Sequence, residues 1–154
     1  MSEFEVARST TIAADPARVH MLINDFHSWI RWSPWEDLDP ELSRDYSGPD
    51  TGVGARYAWQ GNRKAGQGSM EITESTPERI ALRLVFLKPW KAENHVDFTV
   101  TPVGDAGTQV TWRMTGEHKG MGKLLSKLFN MERLVGKDFD KGLARLKVAA
   151  EGDA

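Results

Sequence analysis

The chain contains 154 residues, of which 40% are hydrophobic and 27% charged, and its formal net charge at pH 7 is −2. This composition is typical of a folded globular protein and excludes a disordered chain, and the length predicts a single domain over residues 1–154. The near-neutral charge excludes a general attraction to nucleic acid, and the absence of cysteine excludes disulfides, thiolate catalysis and cysteine-based metal sites.

Two further patterns bear on location. No run approaches the roughly 20 apolar residues that are needed to cross a bilayer, so we expect no stable membrane insertion. The N-terminal sequence MSEFEVARSTT carries acidic residues where a secretory signal has a basic start and an apolar middle. We therefore expect a cytoplasmic protein.

The first 47 residues predict one strand, two short helices and a second strand. Residues Glu3 to Ala13 alternate and are rich in β-branched side chains, which is typical of a strand. Asp15-Pro16 indicates a helix start, with an aspartate N-cap followed by proline in the first turn. The buried face of that helix is Val19, Leu22, Ile23 and Phe26. A second helical segment over His27–Trp32 ends before Pro34, and a short strand is expected around Leu42–Ser47.

Five longer strands are expected to follow, separated by turn sequences such as Gly61-Asn62 and Thr76-Pro77-Glu78. Short joints between alternating strands imply an antiparallel meander. The predicted strands are Val53–Gln60, Gly68–Ser75, Arg79–Leu87, Ala92–Pro102 and Thr108–Glu117.

The C-terminal segment from Met121 to about Ala150 repeats apolar residues at steps of three and four, which is the spacing of one helix face. Such a helix needs a partner surface, because one apolar stripe is not stable alone in water. We expect Gly136 and Gly142 to permit close approach of the sheet or room for a ligand, and Asn130 to cap a second helical segment after a kink. The apolar positions are Leu124, Leu128, Met131, Val135, Phe139, Leu143, Leu146 and Ala150.

The opposite face of this helix is basic. Its two stripes are Lys119, Lys123 and Lys127, and Lys137, Lys141 and Arg145. A solvated helix back is the first interpretation, since lysines at this spacing commonly face water. The alternative is a protein-interaction module in which this face docks on an acidic partner, or a contact with an anionic membrane surface.

Together these elements predict an α+β fold in which a curved seven-stranded antiparallel sheet is wrapped around the long C-terminal helix, with two short helices between strands 1 and 2. Curvature lifts the middle of a sheet away from the helix axis. We therefore expect a cavity for a small hydrophobic molecule between them. The alternative is a core that large side chains fill.

The more apolar parity of each strand gives a lining rich in aromatic and methionine side chains, with Tyr57 and Asn94 as hydrogen-bonding groups. Val53 and Glu74 share the inner parity of their strands. The tryptophans between residues 29 and 35 would form a wall or lid of the cavity, or plug the open end of the sheet. The predicted ligand-binding residues are Trp32, Trp35, Tyr57, Trp59, Met70, Ile72, Leu84, Phe86, Asn94, Phe98, Trp112, Met114, Leu128, Val135 and Phe139.

Three residues are candidates for acid–base chemistry: Tyr57, Glu74 and His118, the last at the end of the final strand. The alternative for Glu74 is an exposed position at a frayed strand end. His95 and Asp97 share the outward parity, where we expect exposure to solvent. The four histidines lack the spacing of metal ligands, and the glycine-rich stretch Gly48–Gly68 contains no phosphate-binding motif. We expect no metal and no cofactor.

Several segments resemble one known family: WIRWSPW (29–35), SGPDTGVGARYAWQGN (47–62), GSMEITESTPERI (68–80), GTQVTW (107–112) and VGKDFDKGLARLK (135–147). They are similar to the polyketide cyclase/dehydrase-like branch of the SRPBCC superfamily, which includes START domains and birch-pollen allergens. The resemblance implies a helix-grip fold with a hydrophobic ligand cavity.

Members of this superfamily include aromatase/cyclases, lipid and hormone binders, coenzyme-Q-binding proteins and chaperone activators, and the fold does not decide among them. The first hypothesis is therefore a binder of a lipid, an isoprenoid or an aromatic polyketide. The alternative is a cyclase or dehydratase-type enzyme that uses Tyr57, Glu74 or His118. The matching segments are mostly turns and core positions, so no catalytic residue carries over.

Overall fold

The computed structural model describes residues 2–36, 39–63, 65–88, 91–105, 107–118 and 125–152, with the backbone alone for 2–4, 117–118 and 125–134. Its strands are β1 (Ser2–Ile12), β2 (Ser43–Ser47), β3 (Arg56–Gln60), β4 (Gln67–Thr76), β5 (Arg79–Lys88), β6 (Ala92–Val103) and β7 (Gly107–His118). Its helices are α1 (Pro16–Asn24), a 3₁₀ helix (Phe26–Arg31) and α2 (Leu125–Gly152). The strands form one antiparallel sheet in the order β1-β7-β6-β5-β4-β3-β2.

This architecture confirms the predicted α+β helix-grip fold, and most predicted boundaries hold within one or two residues. The exception is β3, which begins at Arg56 and not at Val53. Gly52 and Gly54 adopt φ angles of 78° and 94°, a region that glycine enters without steric cost, so the chain turns there. Val53 is consequently 59% exposed, and its predicted place on the inner face is wrong.

The two short helices deliver tryptophans to the concave face of the sheet. Asp15 caps α1 by accepting from the Ala17 N–H at 3.4 Å, as its sequence predicts. The last carbonyl groups of a helix have no partner within it. Here the Trp32 and Trp29 indole N–H groups donate to the carbonyl oxygens of Leu22 and Ile23, both at 2.8 Å. The chain can therefore fold back at the end of α1 and bury both rings.

Helix α2 packs along β1 and is held at its C-terminal end. The Arg18 guanidinium donates from Nε to the Ala150 carbonyl oxygen at 2.6 Å, which satisfies one of the free carbonyl groups of the last turn. The Ala13 N–H donates to Glu151 Oε2 at 2.7 Å. The buried side of α2 is formed by Phe139, Leu143, Leu146 and Ala150, as the helical periodicity predicts.

The expectations about the start of α2 and about its predicted kink have different outcomes. Asn130 lies inside the continuous helix Leu125–Gly152, so its predicted role as the cap of a second segment is wrong. Met121 and Leu124 lie outside the described residues, as do Lys119 and Lys123. None of the helices in the described ranges is long and apolar enough to cross a membrane.

The two glycines of α2 provide a test of how closely the helix is packed. A Cβ at Gly142 would lie 2.8 Å from Trp112 Cζ3 and 2.9 Å from Pro34 Cδ, and neither rigid group can move aside easily. A Cβ at Gly136 would meet the flexible end of the Arg8 side chain. We expect Gly142→Ala to lower the free energy of unfolding by about 1–3 kcal/mol, because overpacking outweighs the gain in helix propensity.

Gly136→Ala is the matched control, and we expect it to be neutral or to stabilise by up to about 1 kcal/mol. Urea denaturation of both variants measures the difference. Equal effects of the two substitutions would contradict close packing of α2 at Gly142.

Candidate functional site

The concave face of the sheet brings most of the predicted ligand-binding residues together. The fully or nearly buried ones are Trp32, Tyr57, Met70, Ile72, Leu84, Asn94, Phe98, Trp112, Met114 and Phe139. Trp35, Trp59, Phe86 and Val135 are partly buried and pack against this core. The side chains of Leu128 and His118 lie outside the described part, so the structure does not place them. Alternation along the strands therefore predicts the inner face well from β4 to β7.

The centre of this face is an aromatic cluster around Trp112. Phe139 of α2 stacks on the indole with ring centroids 4.0 Å apart and planes 8° apart, and Phe98 of β6 stacks at 5.0 Å and 29°. Trp29 and Trp35 approach the same indole edge-on, at 6.4 and 5.5 Å. These rings join the sheet, the 3₁₀ helix and α2 into one packed unit.

The remaining space between sheet and helix is small. A cavity of about 10 Å³ lies there, lined by Trp29, Trp35, Met70, Leu82, Leu84, Val96, Trp112, Met114 and Phe139. The large hollow that sheet curvature predicts is therefore absent from the described part, because Trp29 and Trp32 insert into the concavity. These two tryptophans act as the plug, whereas the half-buried Trp35 forms a wall of the cavity.

The indole N–H groups divide this cluster into satisfied and unsatisfied donors. Besides Trp29 and Trp32, Trp35 donates to Asp138 Oδ2 at 3.0 Å and Trp59 donates to the Ala65 carbonyl oxygen at 2.8 Å. The Nε1–H of Trp112 is buried and has no acceptor within the part of the chain that the structure describes. A buried donor without a partner costs about 1–3 kcal/mol, so this atom is an energetic defect of the packed core.

A polar cluster occupies the β2–β3 end of the same face. Glu36 is 8% exposed, and its carboxylate accepts from Tyr57 Oη at 2.8 Å and from Arg44 Nε at 2.7 Å. The pKa of Tyr57 is raised above its ordinary value of 10.0, first by burial and then by the hydrogen bond to Glu36. The Tyr57 hydroxyl is thus a neutral donor already engaged by Glu36.

Sequence reasoning missed Glu36 and Arg44. Glu36 lies in a loop with no periodicity, and Arg44 lies on the short edge strand β2, whose inner parity we did not assign. The one available signal was an acidic residue directly after the tryptophan-rich segment 29–35, since a carboxylate beside apolar residues needs a cation or several donors.

Glu74 does not lie on the inner face, and its predicted inner parity is wrong. The register of β4 shifts between Ile72 and Glu74, where a β-bulge inserts one extra residue and reverses the alternation. Glu74 therefore pairs with Arg79 on the outer face, and its side chain is 46% exposed. Asp97, expected to be exposed, is buried beside the same arginine at 3.3 Å, whereas His95 is exposed as expected.

A second depression lies outside the core, at the β2 edge of the sheet. It measures about 90 Å³ and is lined by Phe26, His27, Tyr46, Ser47, Gly48, Pro49, Asp50, Ala55 and Arg56. His27 stacks on Tyr46 at 4.0 Å, and Tyr46 stacks on Tyr57 at 5.1 Å. Across the described ranges, no three histidine or acidic side chains are placed to hold a metal ion.

Replacing Tyr57 with phenylalanine removes the O–H that Glu36 accepts. We expect the free energy of unfolding at pH 7 to fall by about 1–3 kcal/mol, because a buried acceptor is left unpaired. Since the pKa of Tyr57 is raised in the folded state, its contribution to stability is fully present below about pH 10 and is lost as the pH rises further. Tyr57→Phe should therefore lose less stability than the wild type between pH 7 and about pH 11.

Urea denaturation at the two pH values gives both results. Tyr46→Phe is the matched control, since its ring stacks on Tyr57 from the neighbouring strand. An equal loss at pH 7 in both variants would contradict a specific role for the bond from Tyr57 to Glu36.

Comparison with known proteins agrees with this fold. Similar structures include the KanY protein (18% identity, TM-score 0.71, 99% of this chain and 100% of that one) and a protein from Chromobacterium violaceum (15%, 0.68, 97% and 98%). A protein from Thermobifida fusca is 20% identical with a TM-score of 0.70, over 95% and 92%. At these identities the likeness shows the fold alone. No protein of curated function matches.

The family comparison covers nearly the whole chain. Residues 3–151 match the model of a family described as "Polyketide cyclase / dehydrase and lipid transport". This match confirms the family resemblance of the sequence, and the structural neighbours confirm its fold. The chain belongs to the polyketide cyclase/dehydrase and lipid transport family.

Proposed function

We propose that this protein binds a small, neutral, hydrophobic molecule between the concave face of the sheet and helix α2. The observation that carries the proposal is the lining of the small cavity, which consists of aromatic, methionine and aliphatic side chains. The family description, which includes lipid transport, supports a role of this kind. Lipids, isoprenoids and aromatic polyketides are the ligand classes that fit.

The lining favours uncharged members of these classes. Every described residue that lines the cavity has an apolar or indole side chain, so none of them offers a cation to pair with a carboxylate. Moving an ionised group into such surroundings without a partner is costly. An isoprenoid alcohol or a neutral polycyclic ring system therefore fits better than a fatty-acid anion.

The ligand has to displace side chains in order to bind. Pockets for molecules of this kind measure about 300–1,000 Å³, far more than the space in the packed core. Met70 and Met114 are unbranched and can change rotamer at low cost. Trp35 lies at the rim, is partly exposed, and is tied to α2 through its hydrogen bond to Asp138. Release of Trp35 would widen the cavity towards the surface.

The enzymatic alternative has less support from the geometry. The Tyr57 hydroxyl donates to Glu36, and Glu74 pairs with Arg79 on the outer face. Two of the three candidate groups are therefore not available to a molecule in the cavity. The interaction-module alternative has limited support as well. On the basic face of α2, Arg145 donates to the Ser33 carbonyl oxygen at 3.3 Å, whereas Lys137 and Lys141 are exposed.

Binding is tested by native mass spectrometry and by tryptophan fluorescence with farnesol, fluorene and palmitate as probes. We expect saturable one-to-one binding of farnesol or fluorene and weaker binding of palmitate. Met114→Ala removes a lining side chain and should tighten binding by about tenfold, because less protein has to be displaced. It should also lower the free energy of unfolding by about 2–5 kcal/mol.

Val110→Ala is the matched control, since Val110 is buried on the same face of β7 but does not line the cavity. It should destabilise the protein without changing the affinity. Absence of saturable binding to both the wild type and Met114→Ala would refute the proposal, as would equal tightening by Val110→Ala.

The link between Trp35 and α2 makes a separate kinetic prediction. Asp138→Ala removes the acceptor of the Trp35 N–H, so the cavity should open more often and farnesol should associate several-fold faster. A hydrogen bond to a charged group contributes about 1.5–3 kcal/mol, which sets the upper limit of the effect. Stopped-flow tryptophan fluorescence measures the association rate.

Asp140→Ala is the control of equal charge change. Asp140 pairs with Arg8 at 3.5 Å on the exposed side of the same helix, whereas the Trp35 N–H donates to Asp138. If both variants bind farnesol at the wild-type rate, opening of Trp35 does not limit association.

A further inference from the structure

We propose that the ligand presents a carbonyl oxygen to the Nε1–H of Trp112, so that this tryptophan selects ketones, quinones or esters over hydrocarbons of the same shape. The inference rests on the proposed function and specifies the chemical class of its ligand. Its starting point is the difference between Trp112 and the other described tryptophans. Trp29, Trp32, Trp35 and Trp59 each donate to a protein oxygen at 2.8–3.0 Å, whereas the buried N–H of Trp112 has no such acceptor in the described ranges.

The packing around Trp112 turns the edge opposite its N–H towards Gly142 of helix α2. A Cβ at Gly142 of α2 would lie 2.8 Å from Cζ3, which is the indole atom opposite the nitrogen. Phe139 and Phe98 both stack on the ring. The ring is thus held by two stacked phenylalanines and by the close approach of Gly142, and it cannot rotate to reach an acceptor without breaking these contacts. The same indole lines the cavity, so a molecule there lies beside it.

A trapped water molecule is a poor alternative partner for this N–H. Buried waters need two to four polar partners. Among the described lining residues, the other side-chain nitrogen atoms are Nε1 of Trp29 and of Trp35, and both already donate elsewhere. A water would therefore make one hydrogen bond in otherwise apolar surroundings. A ligand oxygen makes the same bond and brings its own apolar body to fill the space.

The chemistry of the acceptor distinguishes a carbonyl from a hydroxyl group. A carbonyl oxygen only accepts, so one bond from Trp112 satisfies it in an apolar cavity. A hydroxyl also carries a donor, which would be left without a partner there. The preference should therefore follow the order ketone, alcohol, hydrocarbon, with the alcohol and the hydrocarbon close together.

Three probes of nearly equal shape test this order: 9-fluorenone, 9-fluorenol and fluorene. Protein labelled with ¹⁵N in its indole groups shows one N–H signal for each tryptophan, and Trp112→Phe identifies the signal of Trp112. We expect fluorenone to bind about tenfold more tightly than fluorene, and to move the Trp112 signal downfield. Fluorene should bind without that downfield shift, and the signals of Trp29 and Trp32 should stay in place in both titrations.

In Trp112→Phe the ratio of the fluorenone and fluorene affinities should fall to about one. Trp35→Phe is the control, because it also shortens an indole in the lining but keeps the Trp112 donor, so the ratio should persist. If Trp112→Phe fails to fold, the titrations of the wild type decide, with the Trp112 signal assigned from backbone and side-chain correlations.

Two results would overturn the inference and leave the proposed function standing. One is equal binding of fluorenone and fluorene without a downfield shift of the Trp112 signal. The other is a Trp112 N–H in the free protein that exchanges with solvent as slowly and resonates as far downfield as those of Trp29 and Trp32, which would place its acceptor within the chain. Absence of binding by all three probes and by farnesol would instead refute the proposed function.

Discussion

The insertion of Trp29 and Trp32 into the concave face of the sheet is the constraint on which the rest of the structure depends. Their N–H groups satisfy carbonyl oxygens at the end of α1, and their rings pack against Phe98 and Trp112. The polar ends of the rings thus fix the turn after α1, while their apolar surfaces replace what would otherwise be an open cavity. The same two side chains consequently determine the hydrogen bonding at the end of α1 and the size of the cavity.

Charged and apolar side chains occupy different parts of the sheet. Glu36, Arg44 and Tyr57 satisfy one another at the β2–β3 end, and Glu74 and Asp97 share Arg79 on the outer face. Between them, the described side chains that line the cavity present carbon, sulfur and indole nitrogen atoms. Because charge is neutralised outside the cavity, a bound molecule would meet a medium of low polarity, in which a single donor has a large effect on selectivity.

Sequence periodicity predicted the parts of the fold in which one rule governs many residues. Alternation gave the buried face of β4 to β7, and the three–four spacing gave the buried side of α2. Periodicity failed where a single residue changes the local backbone and thereby the face on which the next side chains lie. The bulge after Ile72 moved Glu74 to the other face, and the glycine turn moved Val53 into solvent. Glu36 was missed because a loop has no period. The size of the cavity could not be predicted from the sequence either, because it is a small difference between the volume that the sheet encloses and the volume that the side chains fill.

Within residues 135–152, the part of α2 whose side chains the structure describes, the polar attachments are concentrated towards the C-terminal end. Its last two turns are tied to the body of the protein by Arg18, by Glu151 and by Lys147, which donates to the Thr11 carbonyl oxygen at 3.3 Å. Arg145 also donates to the Ser33 carbonyl oxygen at 3.3 Å. Nearer the middle of the helix, Trp35 donates to Asp138, and Arg8 and Asp140 form an exposed pair of a kind that contributes little. Among these described contacts, a pivot of α2 about its C-terminal end breaks the fewest strong ones. Such a pivot separates Phe139 from Trp112, and it exposes the indole whose N–H the packed core leaves without an acceptor.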